Sequence, residues 1–216
     1  MHKARATILS MGEVLLNKKK RALRLVLAEA GEHVAKEAKE ITGRSITDLP
    51  EYFLSVSIAR YVHQHFKTLT FSMEDTIDNI CGSSGIDASQ ISRPGRVDIA
   101  VRSQRTGNVR HVIELKRSYN WEGHVADIVR LAELSLAARA GHALERNFMV
   151  MLAAASESAS ETRWERITEH ISDIFGDSIK LTCTPIIFEK GMDSTRAGKT
   201  YGKPLMGEVW EVGYVG

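Results

Sequence analysis

The chain has 216 residues, 43% hydrophobic and 26% charged, with a formal net charge of +2. That composition suits a soluble globular domain with a substantial core; it excludes a uniformly basic nucleic-acid-coating protein, so any such surface must come from local patches. No window is apolar enough to span a membrane, no leader-like apolar region opens the chain, and Cys81 and Cys183 are lone thiols, so a reduced cytoplasmic setting is expected.

Residues 1 to about 44 read as helical. Val14, Leu15, Leu16, Leu23, Leu25, Val26 and Leu27 supply apolar positions, the alanines at 28, 30, 35 and 38 raise propensity, and Gly31 is expected to break or bend the helix. Residues 1–50 hold 10 Lys or Arg against 6 Asp or Glu. The cluster Lys18, Lys19, Lys20 and Arg21 is either a solvated face or a contact for phosphates. Residues 1–47 are taken as an N-terminal helical extension, usable as a dimer or partner surface. Residues 48–216 form the main domain, with its core over 48–155 and a C-terminal extension over 156–216.

Thr42 to Pro50 is a linker, and a helix starts near Asp48 and runs to about Phe66, with Leu54, Ile58 and Val62 as its buried stripe. Asp48-Leu49-Pro50-Glu51 has the form of a capping box, with Asp48 as N-cap. Lys67 to Met73 alternates as a short strand, and Cys81-Gly82-Ser83-Ser84-Gly85 is expected as a loop.

Residues 93–118 then give a hairpin. One strand spans roughly Arg96 to Ser103 and the next roughly Val109 to Ser118, joined by a turn in which Gly107 takes a positive φ. Glu114 and Lys116 are two apart on a strand and share a face, and Asp98 reaches that face from the neighbouring strand. Two carboxylates this close repel unless a cation lies between them, which points to a site of the Mg²⁺ type. Ordinary cross-strand ion pairing would give the same residue types, but Val112, Ile113 and Leu115 make the second strand apolar on both faces, as in a central strand.

An Asp on one strand followed 16 residues later by Glu114-Leu115-Lys116 resembles the PD-(D/E)XK nucleases, the restriction-endonuclease-like superfamily. The pattern departs in one place: Val97, not proline, precedes Asp98, and the nearest proline is Pro94. The resemblance implies a metal-dependent nuclease. Asp98, Glu114 and the Leu115 carbonyl would hold Mg²⁺ or Mn²⁺, and Lys116 would orient or deprotonate the attacking water and steady the phosphate. Glu51, on the first core helix, would lean into the metal site.

Asn120 is a candidate N-cap for a helix from Trp121 to about Ala140, with Gly141 as its stop, and Asn147 to Ala154 reads as a buried strand. The resulting αβββαβ order is that of the restriction-endonuclease-like core: an α/β fold with a mixed central sheet. Beyond it, Ser160 to Phe175 is a helix, Ile179 to Phe188 a strand with edge-marking Pro185, and Met206 to Val215 another strand. Between them, Lys190 to Pro204 is expected as a flexible basic hairpin loop in which Lys199 touches a phosphate backbone; its Gly198-Lys199-Thr200 lacks the frame of a P-loop. Arg96 is a further candidate for backbone contact. His111 and His124 flank the proposed site, Asp127 and Arg130 are expected as a surface pair, and Arg117 points away from Lys116.

The expected function is hydrolysis of nucleic-acid phosphodiester bonds, with DNA as the substrate. A homodimer is needed for a double-strand cut, a partner protein is a candidate activator, and the family's frequency in bacterial defence suggests an antiviral setting. The alternative from another class is a non-cleaving nucleic-acid-binding or assembly subunit with the same fold.

Overall fold

The computed structural model describes residues 22–118, 120–138, 144, 146–155, 157–188, 193–196 and 199–215. Lys18, Lys19, Lys20, Arg21 and Gly141 therefore lie outside the described residues. The chain is an α/β protein built on one mixed sheet. In chain order its elements are α1 (Leu23–Thr42), α2 (Glu51–His65), β1 (Leu69–Thr76), α3 (Ile77–Ser84), β2 (Arg96–Ser103), β3 (Val109–Lys116), α4 (Trp121–Ala137), β4 (Asn147–Ala154), α5 (Glu157–Phe175), β5 (Ile179–Ile186), β6 (Asp193–Arg196) and β7 (Lys199–Tyr214).

Six strands stand in the order β1-β2-β3-β4-β7-β5, and β6 pairs with the first part of β7. β1, β2 and β3 form an antiparallel meander, α4 carries the chain across so that β4 runs parallel to β3, and β7 closes antiparallel against β4. The central strands are apolar on both faces because both faces are covered. Ile99, Ile113, Leu115, Phe148 and Val150 pack under α1 and α2. Ala100, Val112, Met149 and Trp210 pack under α3, α4 and α5. Among the described residues, no helix is long and apolar enough to cross a membrane.

Several local expectations need correction. Gly31 does not break α1. It is buried where the helix meets β5, and a Cβ there would lie 2.6 Å from Ile186 Cδ1, so the glycine serves a close approach. The apolar face of α1 packs into the main core with α2, so this helix belongs to the sheet's packing and not only to an extension. The capping box does not form: Asp48 belongs to a separate 3-10 turn, Pro50 is the N-cap, and Glu51 opens α2. Most of the expected loop at 81–85 is helix. The Thr76 hydroxyl accepts from the Asn79 N–H, Ile77, Ile80, Cys81 and Ser84 make a buried stripe at helical spacing, and Gly85 ends it at φ +71°. The basic hairpin expected at 190–204 is more than a flexible loop: it is a paired ribbon of β6 and β7 over much of its length, with Arg196 opposite Lys199.

Candidate functional site

The hairpin register builds the site. Ile99 pairs with Ile113 and Ala100 with Val112, which carries Asp98 to the level of Glu114. There the ladder gives way to a side-chain bond: the Leu115 N–H donates to Asp98 Oδ2 at 2.6 Å. Leu115 meets Asp98 through its N–H, while its side chain is fully buried in the core below. Glu114 and Lys116 share the strand face of Val112, which looks toward α4.

Two α4 residues meet them. Arg130 Nη2 lies 2.5 Å from Glu114 Oε1 and 2.7 Å from Asp127 Oδ1, and Lys116 Nζ lies 2.6 Å from Asp127 Oδ2. The result is a chain of alternating acidic and basic side chains, Glu114–Arg130–Asp127–Lys116. The expected surface pair is therefore part of the site. Glu114 is 2% exposed, and burial pushes its carboxyl up to about 8 against the pull of Arg130. For Lys116 burial alone would lower the pKa, but Asp127, Glu114 and Asp98 outweigh it, so the ammonium is held above the ordinary lysine value.

Glu51 reaches the same place from α2. Its pKa is raised, first by burial and then by the charge of Asp98, with Lys116 and Arg117 pulling the other way. Glu51, Lys116, Arg117, Ser118, Asn120, Gly123 and His124 line a cleft of about 210 Å³. Arg117 does not point away: β3 ends at Lys116, and the Arg117 guanidinium turns to the Leu49 carbonyl beside the start of α2. His124 is 1% exposed, its Nδ1 is hydrogen-bonded at the Asn120 backbone, and burial lowers its pKa to about 4, so it is neutral at pH 7. His111 does not flank this cleft. It bonds the Arg146 carbonyl and lines a different groove with Arg24 and Phe148.

Of the four acid–base candidates, Glu51 and Lys116 line the cleft, while Asp98 and Glu114 lie at one level of the hairpin, and the charge of Asp98 acts on Glu51, Glu114 and Lys116. Arg96 is exposed at the start of β2, and Lys199 opens β7. Among the described residues, no three or more His, Cys, Asp or Glu side chains are gathered as a metal site. The donors do suit a hard divalent cation in kind: all are oxygens, and Asp98 pushes Glu51 upward, a repulsion that a cation would relieve. Glu114 is the exception, because Arg130 already occupies its Oε1.

Sequence reasoning missed Arg117, Glu74, and the part played by Asp127 and Arg130. The i,i+3 spacing of Asp127 and Arg130 on a helix following Lys116 was the available signal. Nothing in sequence marked Glu74, whose charge also raises Glu51. Compared with protein-family models, with curated proteins and with solved structures, the chain gave no match.

Proposed function

We propose that the chain is a Mg²⁺- or Mn²⁺-dependent phosphodiester hydrolase of the PD-(D/E)XK type that acts on nucleic acid, with DNA as the expected substrate. The observation that supports this reading is that Glu51 of α2 and Lys116 of β3 line one cleft, with Asp98 of β2 close enough for its charge to act on both and Glu114 beside Asp98 on the hairpin. Asp98 and Glu114, with the Leu115 carbonyl, would hold the cation, and Glu51 would take a second cation or a water ordered by the first. Such a cation, when bound, supplies Lewis-acid polarisation of a phosphate and a more acidic water. Lys116 is held protonated chiefly by its hydrogen bond and ion pair with Asp127, which supports charge stabilisation at the phosphate over proton abstraction. Arg117 adds positive charge on the same cleft. One such site cuts one strand, so a double-strand cut calls for a second copy.

A second reading, a non-cleaving binding or assembly subunit, is favoured by the hold of Arg130 on Glu114. Cleavage of plasmid and single-stranded DNA with Mg²⁺, Mn²⁺ or EDTA separates the two. Metal-dependent cutting by the wild type, lost in Glu114→Ala and Lys116→Ala, is the expected result. Binding that survives both substitutions, with no cutting under any metal, would leave the second reading.

A further inference from the structure

Lys116 and Glu114 are each matched by a partner of the kind a loaded hydrolytic site would supply. The Lys116 ammonium, 2.6 Å from Asp127 Oδ2, has an anionic oxygen as counter-ion, as it would with a phosphate. Glu114 Oε1, 2.5 Å from Arg130 Nη2, has a cation, as it would with a metal. Both partners come from α4, three residues apart, so one helix face presents the two charges together.

We propose that Asp127 and Arg130 form a resting latch, an internal stand-in for phosphate and metal that must release Lys116 and Glu114 before the site loads. The proposal rests on the hydrolase reading above. The hold is incomplete. Nη2 serves both carboxylates, while Arg130 Nε is buried with no acceptor among the described residues. A guanidinium has five N–H donors, and a buried donor left unmade weakens the ground state from which it is displaced. The opposing possibility is that Arg130 permanently orients Glu114 as a supporting group, as outer partners of metal ligands do. The two differ in sign. Removing a latch tightens metal binding, because Glu114 and Asp127 are left in a buried place with one cation fewer. Removing a supporting group weakens metal binding.

The test is calorimetric titration of Mn²⁺ into the full chain at pH 8.5, comparing wild type with Arg130→Gln and with the double variant Glu114→Gln/Arg130→Gln. Arg130→Gln should bind about 10-fold tighter than wild type, equivalent to about 1.4 kcal/mol, and the double variant should lose that gain. Equal or weaker binding by Arg130→Gln overturns the latch, as does an absence of Mn²⁺ binding in both proteins. If Arg130→Gln does not fold, wild type decides through its arginine Nε–H resonances under Mg²⁺. Movement of the Arg130 signal at saturation supports release; an unmoved signal at saturation, or no binding at all, overturns it. Plasmid cleavage run in parallel keeps the two ideas apart. Tighter binding without cleavage removes the hydrolase and keeps the latch; metal-dependent cleavage without tighter binding does the reverse.

Discussion

Two arginine–glutamate pairs lie on the same face of the sheet and differ in what surrounds them. Lys116 pairs with Met151 across β3 and β4, and Met151 with Glu208 across β4 and β7. One level down, Glu114 pairs with Met149 and Met149 with Trp210. Lys116 and Glu208 are thus two strand spacings apart, roughly 10 Å, with Met151 between them, and Glu114 lies one level below. Glu208 meets Arg163 of α5 as Glu114 meets Arg130 of α4, and their side chains are similarly buried: 4% and 2% exposed for Glu208 and Arg163, 3% and 11% for Glu114 and Arg130. Arg163 Nη1 is 3.4 Å from Glu208 Oε2 and also approaches the Met151 sulfur, and the Trp210 indole N–H donates to the same Glu208 oxygen at 2.7 Å. That pair is walled in by large side chains. The other continues through Asp127 and Lys116 to a cleft with Glu51 and Arg117 on its rim. Depth of burial is therefore a poor guide to role. What separates the pairs is whether the charge leads anywhere.

The largest expected effect tests the closed pair. Glu208→Ala leaves Arg163 as a buried charge without its carboxylate, and urea denaturation should show a loss of about 3–5 kcal/mol. Mn²⁺ binding by the folded fraction should stay at the wild-type value. Lys116→Ala should give the opposite profile: cleavage falls about 10³-fold, while stability changes by no more than about 1 kcal/mol, since Lys116 sits at a cleft edge. Equal destabilisation by the two substitutions would erase the distinction.

A pH titration of stability sharpens it. Glu114 has a folded pKa of about 8 against an ordinary 4.5. Between those values the native state keeps a proton that the unfolded chain has released. Its stabilising contribution is therefore complete below about pH 4.5 and lost as pH rises through 8. Relative to Glu114→Gln, the wild type should lose a few kcal/mol between pH 5 and pH 8.5 in urea unfolding. A parallel pH dependence for the two proteins would mean that Arg130 keeps Glu114 ionised throughout.

How much of this was legible in sequence follows from the range of each interaction. The hairpin of β2 and β3 was readable, with both strand starts and Gly107 at φ +73°, because alternation and turn chemistry are local. β4 was readable too, as a run apolar on both faces. The helix at 77–84 was hidden by Gly82 and two serines, although its buried stripe is regular; tertiary burial outweighed poor helix propensity. At the site, Asp98, Glu114 and Lys116 could be grouped because pleating and register bring them together. The roles of Asp127 and Arg130 depend on how α4 lies across β3, and Arg117 turns only because the strand ends. Those are consequences of packing, which no short window of sequence carries.

The smallest expected effect concerns Glu74, which brings backbone strain to the open side of the comparison. Among the described residues it is the one non-glycine with positive φ, at +52°. Met73 pairs with Ile99 and Asp75 with Val97, which sets Glu74 opposite Asp98. An L residue in that region costs about 1–2 kcal/mol, and glycine adopts it freely at the expense of a more flexible unfolded chain. Glu74→Gly should therefore raise stability by about 0.5–1 kcal/mol, read as a higher urea midpoint at unchanged slope. Glu74→Gln keeps the strain and removes only the charge, so its midpoint should stay near wild type. Both variants should relax the upward push on Glu51, since Glu74 is among the charges that raise it. If Glu74→Gly instead lowers the midpoint, the side chain holds β1 in place and the left-handed turn is not a strain held beside the site.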